Sequence, residues 1–182
     1  MNDLVFVTGN MNKVKQVEKY LGQTLEHEHV DLDEIQDLDP AVVLEHKAKE
    51  AYRILQRPVL VEDASLVFHA LGKLPGPFIK FFLQELDTGG LIRLLDGNDD
   101  RRATHTVIFG IYDGKSFHEF SASINGVIAT DVKGSGGFGF DPTFIPDGQE
   151  QTRAEMDEET YAKYQPRNHA AKKLANFIEN NK

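Results

Sequence analysis

A short turn with the features of a phosphate-binding loop follows the first apolar run of the sequence. Leu4–Val7 predicts a strand, Thr8-Gly9-Asn10 a tight turn, and the residues after it an amphipathic helix with Lys13 in its first turn. The free backbone N–H groups at the start of a helix, together with a lysine ammonium, can bind phosphate. The second glycine and the Lys-Ser/Thr pair of a Walker A loop are missing. The turn is therefore open to two interpretations, a phosphate site or a capped helix with a solvated lysine.

Two adjacent carboxylates, Glu62 and Asp63, come directly after the apolar run Val59–Val61. Because successive strand residues point to opposite faces, we expect one to face a ligand and the other to support it. We place the pair beyond the carboxyl end of the strand, where open sheets bind ligands. The alternative is that Asp63 caps a helix that begins at Ala64.

Glu34, in the acidic stretch 31–39, is a candidate third carboxylate. Three carboxylates from separate loops would suit Mg²⁺, which prefers oxygen ligands. A solvated loop charge is the alternative, and the spacing does not decide between them.

A glycine-rich stretch, Ser135–Pro142, contains two phenylalanines two residues apart. On the same side of a bent strand, Phe138 and Phe140 could flank a flat ring, and Asp141 could accept from its N–H groups. The alternative is a hydrophobic anchor for the loop. Upstream, two prolines stiffen the segment that leads to Lys80, although such loops are often purely structural.

The elements that must position these residues follow from the apolar periodicity and the turn signals. Helices are predicted over 42–55, ending near Gln56 because Pro58 disfavours its continuation, then over 78–86, around 91–95, and from about 168 onward. Further strands are predicted over 59–61, 104–112 and 116–127, the last two joined at Asp113-Gly114. This order indicates a mixed α/β sheet, and we interpret residues 1–182 as one domain, with two lobes allowed.

Composition and charge exclude several classes of function. The net charge of −9 argues against broad binding to DNA or RNA but not against a small phosphorylated ligand. The absence of cysteine excludes disulfides, thiolate metal sites and cysteine nucleophiles. The sequence shows neither a membrane-length apolar run nor a leader, so we expect a cytoplasmic protein without a membrane partner.

The order of these motifs resembles the inosine triphosphate pyrophosphatase family. The series is VFVTGNMNK, DLDE, a lysine-bearing helix, VLVEDASLVFHALGKLPGPFIKFFL and GGFGFDPTFIPDGQEQTRAEM, and it spans residues 4 to about 156. The resemblance implies a long mixed β-sheet with flanking helices that form two lobes around a central cleft, usually in a homodimer. It also implies Mg²⁺-dependent hydrolysis of non-canonical purine nucleotides, such as ITP, dITP and XTP, to the monophosphate and pyrophosphate.

The resemblance assigns roles to residues of this chain. It implies that Glu62, Asp63 and Lys13 are catalytic, with Asp63 the favoured general base, and that Glu34, Glu62 and Asp63 place the metal. It implies the following substrate-binding residues: Thr8, Gly9, Asn10, Lys13, Lys47, Ser65, Lys80, Phe138, Gly139, Phe140, Asp141 and Arg167. In this set Phe138 stacks on the base, and Phe140 and Asp141 shape its pocket.

The sequence departs from the family pattern after the Ala-Glu-Met motif. A lysine five residues on and a Ser-His-Arg triplet usually read the base, but Tyr161 and Gln165-Pro166-Arg167 stand at these positions. Lys163 and His169 are candidates to replace the missing side chains. Selectivity for 6-oxo purines is therefore open, because a lost donor weakens recognition of its partner. The alternatives are the same chemistry on another modified or pyrimidine triphosphate, or a nucleotide-binding module without turnover.

Overall fold

The computed structural model describes residues 3–181 and shows an α/β protein built on one mixed sheet. Within these residues the chain forms seven strands, β1 to β7, and five α-helices, α1 to α5, which alternate up to β3 and are grouped after it. Their bounds are β1 Val5–Val7, α1 Met11–Leu21, β2 Glu26–Glu28, α2 Pro40–Leu55, β3 Val59–Phe68, β4 Pro75–Gly76, α3 Ile79–Arg93, β5 Arg102–Tyr112, β6 Phe117–Ile128, β7 Phe144–Pro146, α4 Glu158–Lys163 and α5 Pro166–Asn180. The sequence-based prediction of a mixed sheet with helices is confirmed.

The sheet has the strand order β2-β1-β3-β5-β6-β7, and β4 pairs with β3 outside this path. β1 runs parallel to β2 and to β3, whereas β4 is antiparallel to β3 and β7 is antiparallel to β6. Chain contacts divide the protein into two compact units. The first unit contains the chain up to Asp63, Val107–Ala122 and the residues from Arg167 onward, and the second contains Ala64–Thr106 and Ser123–Pro166.

The first unit has a core of β-branched strand residues and aliphatic helix residues. β1 and the start of β3 contribute four valines, and α2 packs against them through Leu44, Ala48 and Ala51. The spacing of these three residues puts them on one face of α2. Asp39 begins α2 by accepting a hydrogen bond from the Ala41 N–H at 2.9 Å, and Gln56 ends it, as the sequence predicted.

The second unit has its own core, in which the end of β3 meets α3 and the segment after the glycine-rich loop. Leu66, Phe68, Leu91, Phe140 and Phe144 are among its buried members. α3 is interrupted at Asp87, whose φ of 58° is not helical. This break confirms the two separate stretches of helical spacing seen in the sequence.

One strand is longer than predicted, and this changes the setting of the acidic pair. β3 continues from Val59 through Phe68, so Glu62 and Asp63 lie within the strand and not beyond its end. The helix that Asp63 was to cap does not form. Local propensity favours a cap at Asp63, but pairing with β4 and burial of Leu66 and Phe68 stabilise the extended chain.

No helix among residues 3–181 is long and apolar enough to cross a membrane.

Candidate active site

The first unit contains a buried carboxylate that is bound by two cations. Glu62, in β3, is 4% exposed. The Arg167 guanidinium donates through Nε to Glu62 Oε2 at 3.1 Å and through Nη2 to Oε1 at 2.9 Å. Lys13 Nζ lies 3.3 Å from the same Oε1. Three residues far apart in sequence thus form one charged cluster.

These contacts hold Glu62 in its ionised form. Burial alone would raise the pKa of this carboxyl, but the charges of Arg167 and Lys13 and their hydrogen bonds outweigh it and keep the pKa below 4.5. A carboxylate whose pKa is lowered in this way is a poor proton acceptor near neutral pH. Glu62 is therefore suited to fixing the two cations.

Helix α1 supplies two side chains to this cluster. Lys13 and Gln16 are three residues apart, so they share a face of the helix. Gln16 Oε1 accepts a hydrogen bond from Arg167 Nη1. Gln16 belongs to no chemical motif, and its spacing from Lys13 was the only signal for it in the sequence. Arg167, expected from the resemblance to read the base, here contacts Glu62 and Gln16.

The turn before α1 is built as a helix cap. The Asn10 side-chain oxygen accepts from the Asn12 N–H at 3.0 Å and the Lys13 N–H at 3.3 Å, and Thr8 Oγ1 accepts from the Asn10 N–H. Gly9 is needed for close packing, because a Cβ there would lie 2.8 Å from the His29 ring. The capping interpretation is confirmed, and phosphate binding by the same turn stays a prediction.

The three carboxylates expected to hold a metal are not clustered. Glu34 is paired with Lys47 at 2.7 Å, Glu62 is bound by its two cations, and Asp63 is half-buried in β3. Within residues 3–181, no three His, Cys, Asp or Glu side chains form a group that could hold a metal ion. The expected cage of three loop carboxylates is therefore not preassembled, and Glu62 and Asp63 lie in a strand. Mg²⁺ is often bound by one or two carboxylates plus substrate phosphates, and the chemistry of this pair is compatible with that mode.

In the second unit, the glycine-rich loop exposes one aromatic ring and buries the other. Phe138 is 46% exposed, whereas Phe140 is 7% exposed and packs in the core. No strand forms across residues 138–140. The prediction that both rings lie on the same side of a bent strand is wrong. Of the two, Phe138 is the ring accessible for stacking.

Asp141 contacts the backbone of Phe138 and is itself 2% exposed. Its Oδ2 accepts from the Phe138 N–H at 2.6 Å and from the Tyr161 hydroxyl at 2.8 Å. Its Oδ1 lies 2.5 Å from Arg153 Nη2. Both oxygens are thus engaged by the protein, so Asp141 organises the loop from within.

Arg153 supplies the charge that compensates Asp141, and it is 1% exposed. Its guanidinium lies 5.3 Å from the ring centre of Phe140 and 4.7 Å from that of Phe144. Its Nη1 lies 2.6 Å from His105 Nδ1. Since arginine only donates, His105 accepts through Nδ1. The sequence reasoning did not single out Arg153 or His105, because nothing in their spacing links them to Asp141.

The residues that depart from the family pattern join this network. Gln165 Nε2 donates to the Tyr161 hydroxyl oxygen at 2.7 Å. Lys163 extends into solvent, where it pairs with Glu159 at 2.8 Å. The replacement of the missing lysine by Lys163 stays a prediction. His169 lies half-buried in α5, in the other unit.

The remaining predicted residues occupy varied settings in the second unit. Ser65 is buried in β3, Lys80 is exposed in the first turn of α3, and Gly139 is exposed with φ of 62°. Lys80 Nζ lies 5.9 Å from the Phe81 ring centre.

Comparison with known proteins extends over nearly the whole chain. A model of the Ham1 family matches residues 4–177. The inosine triphosphate pyrophosphatase of Schizosaccharomyces pombe is 38% identical, with 100% of this chain and 98% of that protein covered. The dITP/XTP pyrophosphatase of Saccharolobus solfataricus is 36% identical, with 95% of this chain and 92% of that protein covered.

Solved structures show the same fold. A HAM1 protein from Coxiella burnetii matches with a TM-score of 0.82 at 21% identity, covering 97% of this chain and 98% of that one. The nucleoside-triphosphatase / dITP/XTP pyrophosphatase from Mycobacterium abscessus matches with a TM-score of 0.77 at 20% identity, covering 96% and 98%.

Proposed function

Because the chain belongs to the Ham1 family, we propose that it is a nucleoside triphosphate pyrophosphatase. Its substrates are the non-canonical purine nucleotides ITP, dITP and XTP. It hydrolyses the bond between the α- and β-phosphates and releases the monophosphate and pyrophosphate. The relatives named as inosine triphosphate and dITP/XTP pyrophosphatases, similar over 92% or more of their lengths, support this assignment.

The Lys13–Glu62–Arg167 cluster is the observation that carries the proposal. An acidic protein that binds a triphosphate needs cations held in place against the net negative charge. Glu62 fixes the buried Arg167 and the half-buried Lys13, whose charges are screened less there than at the surface. The cluster lies at the start of α1, whose N-terminal end favours anions.

The phosphate-binding set extends to the neighbouring residues of the first unit. Thr8, Gly9 and Asn10 supply the turn before α1, and Lys47 supplies a further cation once it is released from Glu34. Lys80, exposed on α3, is the further cation of the second unit. Positioning and charge neutralisation are the main contributions of a protein to phosphoryl chemistry.

The same proposal assigns the metal to the carboxylates of β3. Glu62 and Asp63, with Glu34 as a third candidate, would hold Mg²⁺ together with phosphate oxygens. When bound, the metal neutralises phosphate charge and polarises the bond to be cleaved. Since two cations hold Glu62 ionised, Asp63 is the better candidate to accept a proton from the attacking water.

The base is assigned to residues of the second unit. The exposed ring of Phe138 offers a stacking surface. Gly139 lets the loop turn, and Ser65, Phe140 and Asp141 shape the wall from buried positions. Because Asp141 is covered, it acts through the groups that it binds.

We further propose that the enzyme is a homodimer and works in the cytoplasm, where the nucleotide pool lies. Light scattering after size-exclusion chromatography tests the first point, and a single monomer mass at micromolar concentration would contradict it.

Product analysis tests the proposed reaction. The protein is incubated with ITP, XTP, dITP, ATP and a pyrimidine triphosphate, with Mg²⁺ or with EDTA, and the products are separated by ion-exchange chromatography. We expect inosine monophosphate and pyrophosphate in equal amounts, only with the metal. A better pyrimidine substrate would change the substrate class, and binding without products from any nucleotide would support a non-catalytic module.

A further inference from the structure

In the second unit, one carboxylate oxygen accepts hydrogen bonds from the backbone of the exposed phenylalanine and from a tyrosine hydroxyl. Asp141 Oδ2 accepts from the Phe138 N–H at 2.6 Å and from the Tyr161 hydroxyl at 2.8 Å. The backbone of the stacking residue and the hydroxyl are therefore neighbours. This makes the Tyr161 hydroxyl the candidate contact for the edge of a flat ring that stacks on Phe138.

The polarity of this hydroxyl is fixed by its partners. Asp141, paired with Arg153 at 2.5 Å, accepts the hydrogen bond of the Tyr161 hydroxyl, so the hydroxyl proton points at Asp141. Gln165 Nε2 donates to the hydroxyl oxygen at 2.7 Å and occupies one of its two lone pairs. Toward a ligand, the hydroxyl is left with one acceptor position and no donor.

The proton stays on Tyr161 at all working pH values. Burial and the neighbouring Asp141 charge raise the pKa of Tyr161 well above its ordinary value of 10.0. The acceptor character of the hydroxyl toward a ligand is therefore constant between pH 6 and pH 9.

On the premise of the proposed function, we propose that Tyr161 is a specificity-determining residue that accepts a hydrogen bond from the N1–H of a 6-oxo purine stacked on Phe138. Hypoxanthine, xanthine and guanine carry a proton at N1, whereas adenine presents a lone pair there. Adenine would thus place one acceptor against another. Gln165 and Asp141 are positioning residues, because they act on the base through the Tyr161 hydroxyl.

This arrangement differs from recognition by a charged side chain. The sequence has tyrosine at the position where the resembling family has lysine, and the compensating cation for Asp141 comes instead from the buried Arg153. A neutral acceptor distinguishes 6-oxo from 6-amino purines, but it does not distinguish hypoxanthine from guanine. The role of Tyr161 can therefore be tested by comparing activity on ITP, GTP and ATP.

The experiment compares kcat/KM for ITP, GTP and ATP in the wild type and in Tyr161→Phe, which keeps the ring and removes the hydroxyl. For loss of one neutral hydrogen bond we expect kcat/KM for ITP and for GTP to fall by about 3- to 10-fold, mainly through KM, and that for ATP to stay constant or rise. The ratio of ITP to ATP then falls while the ratio of ITP to GTP is unchanged.

Tyr164→Phe is the matched control. Tyr164 lies at the end of the same short helix α4, and its hydroxyl accepts from Gln149 Nε2 at 2.8 Å and not from the Asp141 network. We expect this variant to leave both ratios unchanged. Gln165→Met, which loosens the Tyr161 hydroxyl without removing it, should lower the ratio of ITP to ATP in the same direction but by less.

The inference would be overturned if Tyr161→Phe changed kcat/KM equally for all three nucleotides, because a purely structural role affects every substrate alike. It would also be overturned if kcat/KM did not change for any of them. Wild-type release of pyrophosphate from ITP separates this failure from failure of the proposed function. If the wild type releases none, Kd values for ITP and ATP are compared by calorimetry. An unchanged Kd ratio in Tyr161→Phe then overturns the inference on its own.

Discussion

Arg167 binds both carboxylate oxygens of Glu62 across 105 residues of sequence, at 2.9 and 3.1 Å. The guanidinium is buried at 5% exposure and the carboxylate at 4%. Each charge would be costly to bury alone, so the pair fixes the start of α5 against β3 within the first unit. Lys13 joins from α1, which makes this pair the centre of the proposed phosphate site.

Replacing Arg167 by methionine should destabilise the protein strongly, because it leaves a buried carboxylate with half of its compensation. We expect a loss of about 3–5 kcal/mol in the free energy of unfolding, measured by urea denaturation. Arg53→Met is the matched control, since Arg53 makes the same two-bond contact to Glu50 on an exposed helix face. A loss in Arg167→Met as small as in this control would contradict the burial argument.

The pH dependence of the free energy of unfolding should show how much ionised Glu62 contributes to stability. Burial opposes ionisation of Glu62, but Arg167 and Lys13 hold its pKa in the folded protein below 4.5. As the pH falls, the Glu62 carboxyl is therefore protonated in the unfolded chain before it is protonated in the folded protein. The contribution of Glu62 is present above pH 4.5 and lost below it. The difference in unfolding free energy between wild type and Glu62→Gln should thus be largest near pH 7 and shrink toward pH 3.

The salt dependence of stability distinguishes the buried Glu62 pair from an ion pair at the surface. Glu50 also has a lowered pKa, caused by its hydrogen bond to Arg53, but that pair is exposed. In 1 M NaCl, where screening acts within about 3 Å, the difference for Glu50→Gln should vanish while that for Glu62→Gln persists. Equal salt sensitivity of the two would show that Glu62 is not shielded from solvent.

Two helix caps in the first unit allow stability and binding to be separated. Asn10 caps α1 and Asp39 caps α2, each through a side-chain oxygen. Alanine at either position should cost about 1 kcal/mol of stability in thermal or urea unfolding. Only Asn10→Ala should also raise KM for ITP, because its turn belongs to the proposed phosphate site. A similar rise in KM for Asp39→Ala would indicate a general effect of lost stability.

The sequence predicted most elements of the fold because their signals are local. The apolar faces of α1 and α2, the cap at Asn10 and the hairpin turn at Asp113 are encoded within a few residues of each other. The end of β3 was missed because Asp63 has the local signature of a helix cap. Its strand conformation depends on β4, whose pairing with β3 is not a local property.

The sequence identified residues of the candidate site, but it did not predict which of them contact each other. Residue types and their order singled out Lys13, Glu62 and Asp141. Their partners Arg167, Arg153 and Tyr161 come from distant segments, so the spacing could not show which carboxylate each one binds. The exposure of Phe138 and the burial of Phe140 likewise depend on the packed core of the second unit.

Pyrophosphatase activity with Asp63 as general base is tested by the products formed from ITP and Mg²⁺ with the wild type and with Asp63→Asn. We expect inosine monophosphate and pyrophosphate in equal amounts from the wild type, with no orthophosphate. For Asp63→Asn we expect a loss of kcat of about 100-fold or more with folding retained, because a general base is lost. Orthophosphate as the first product, or an Asp63→Asn variant as active as the wild type, would contradict this assignment.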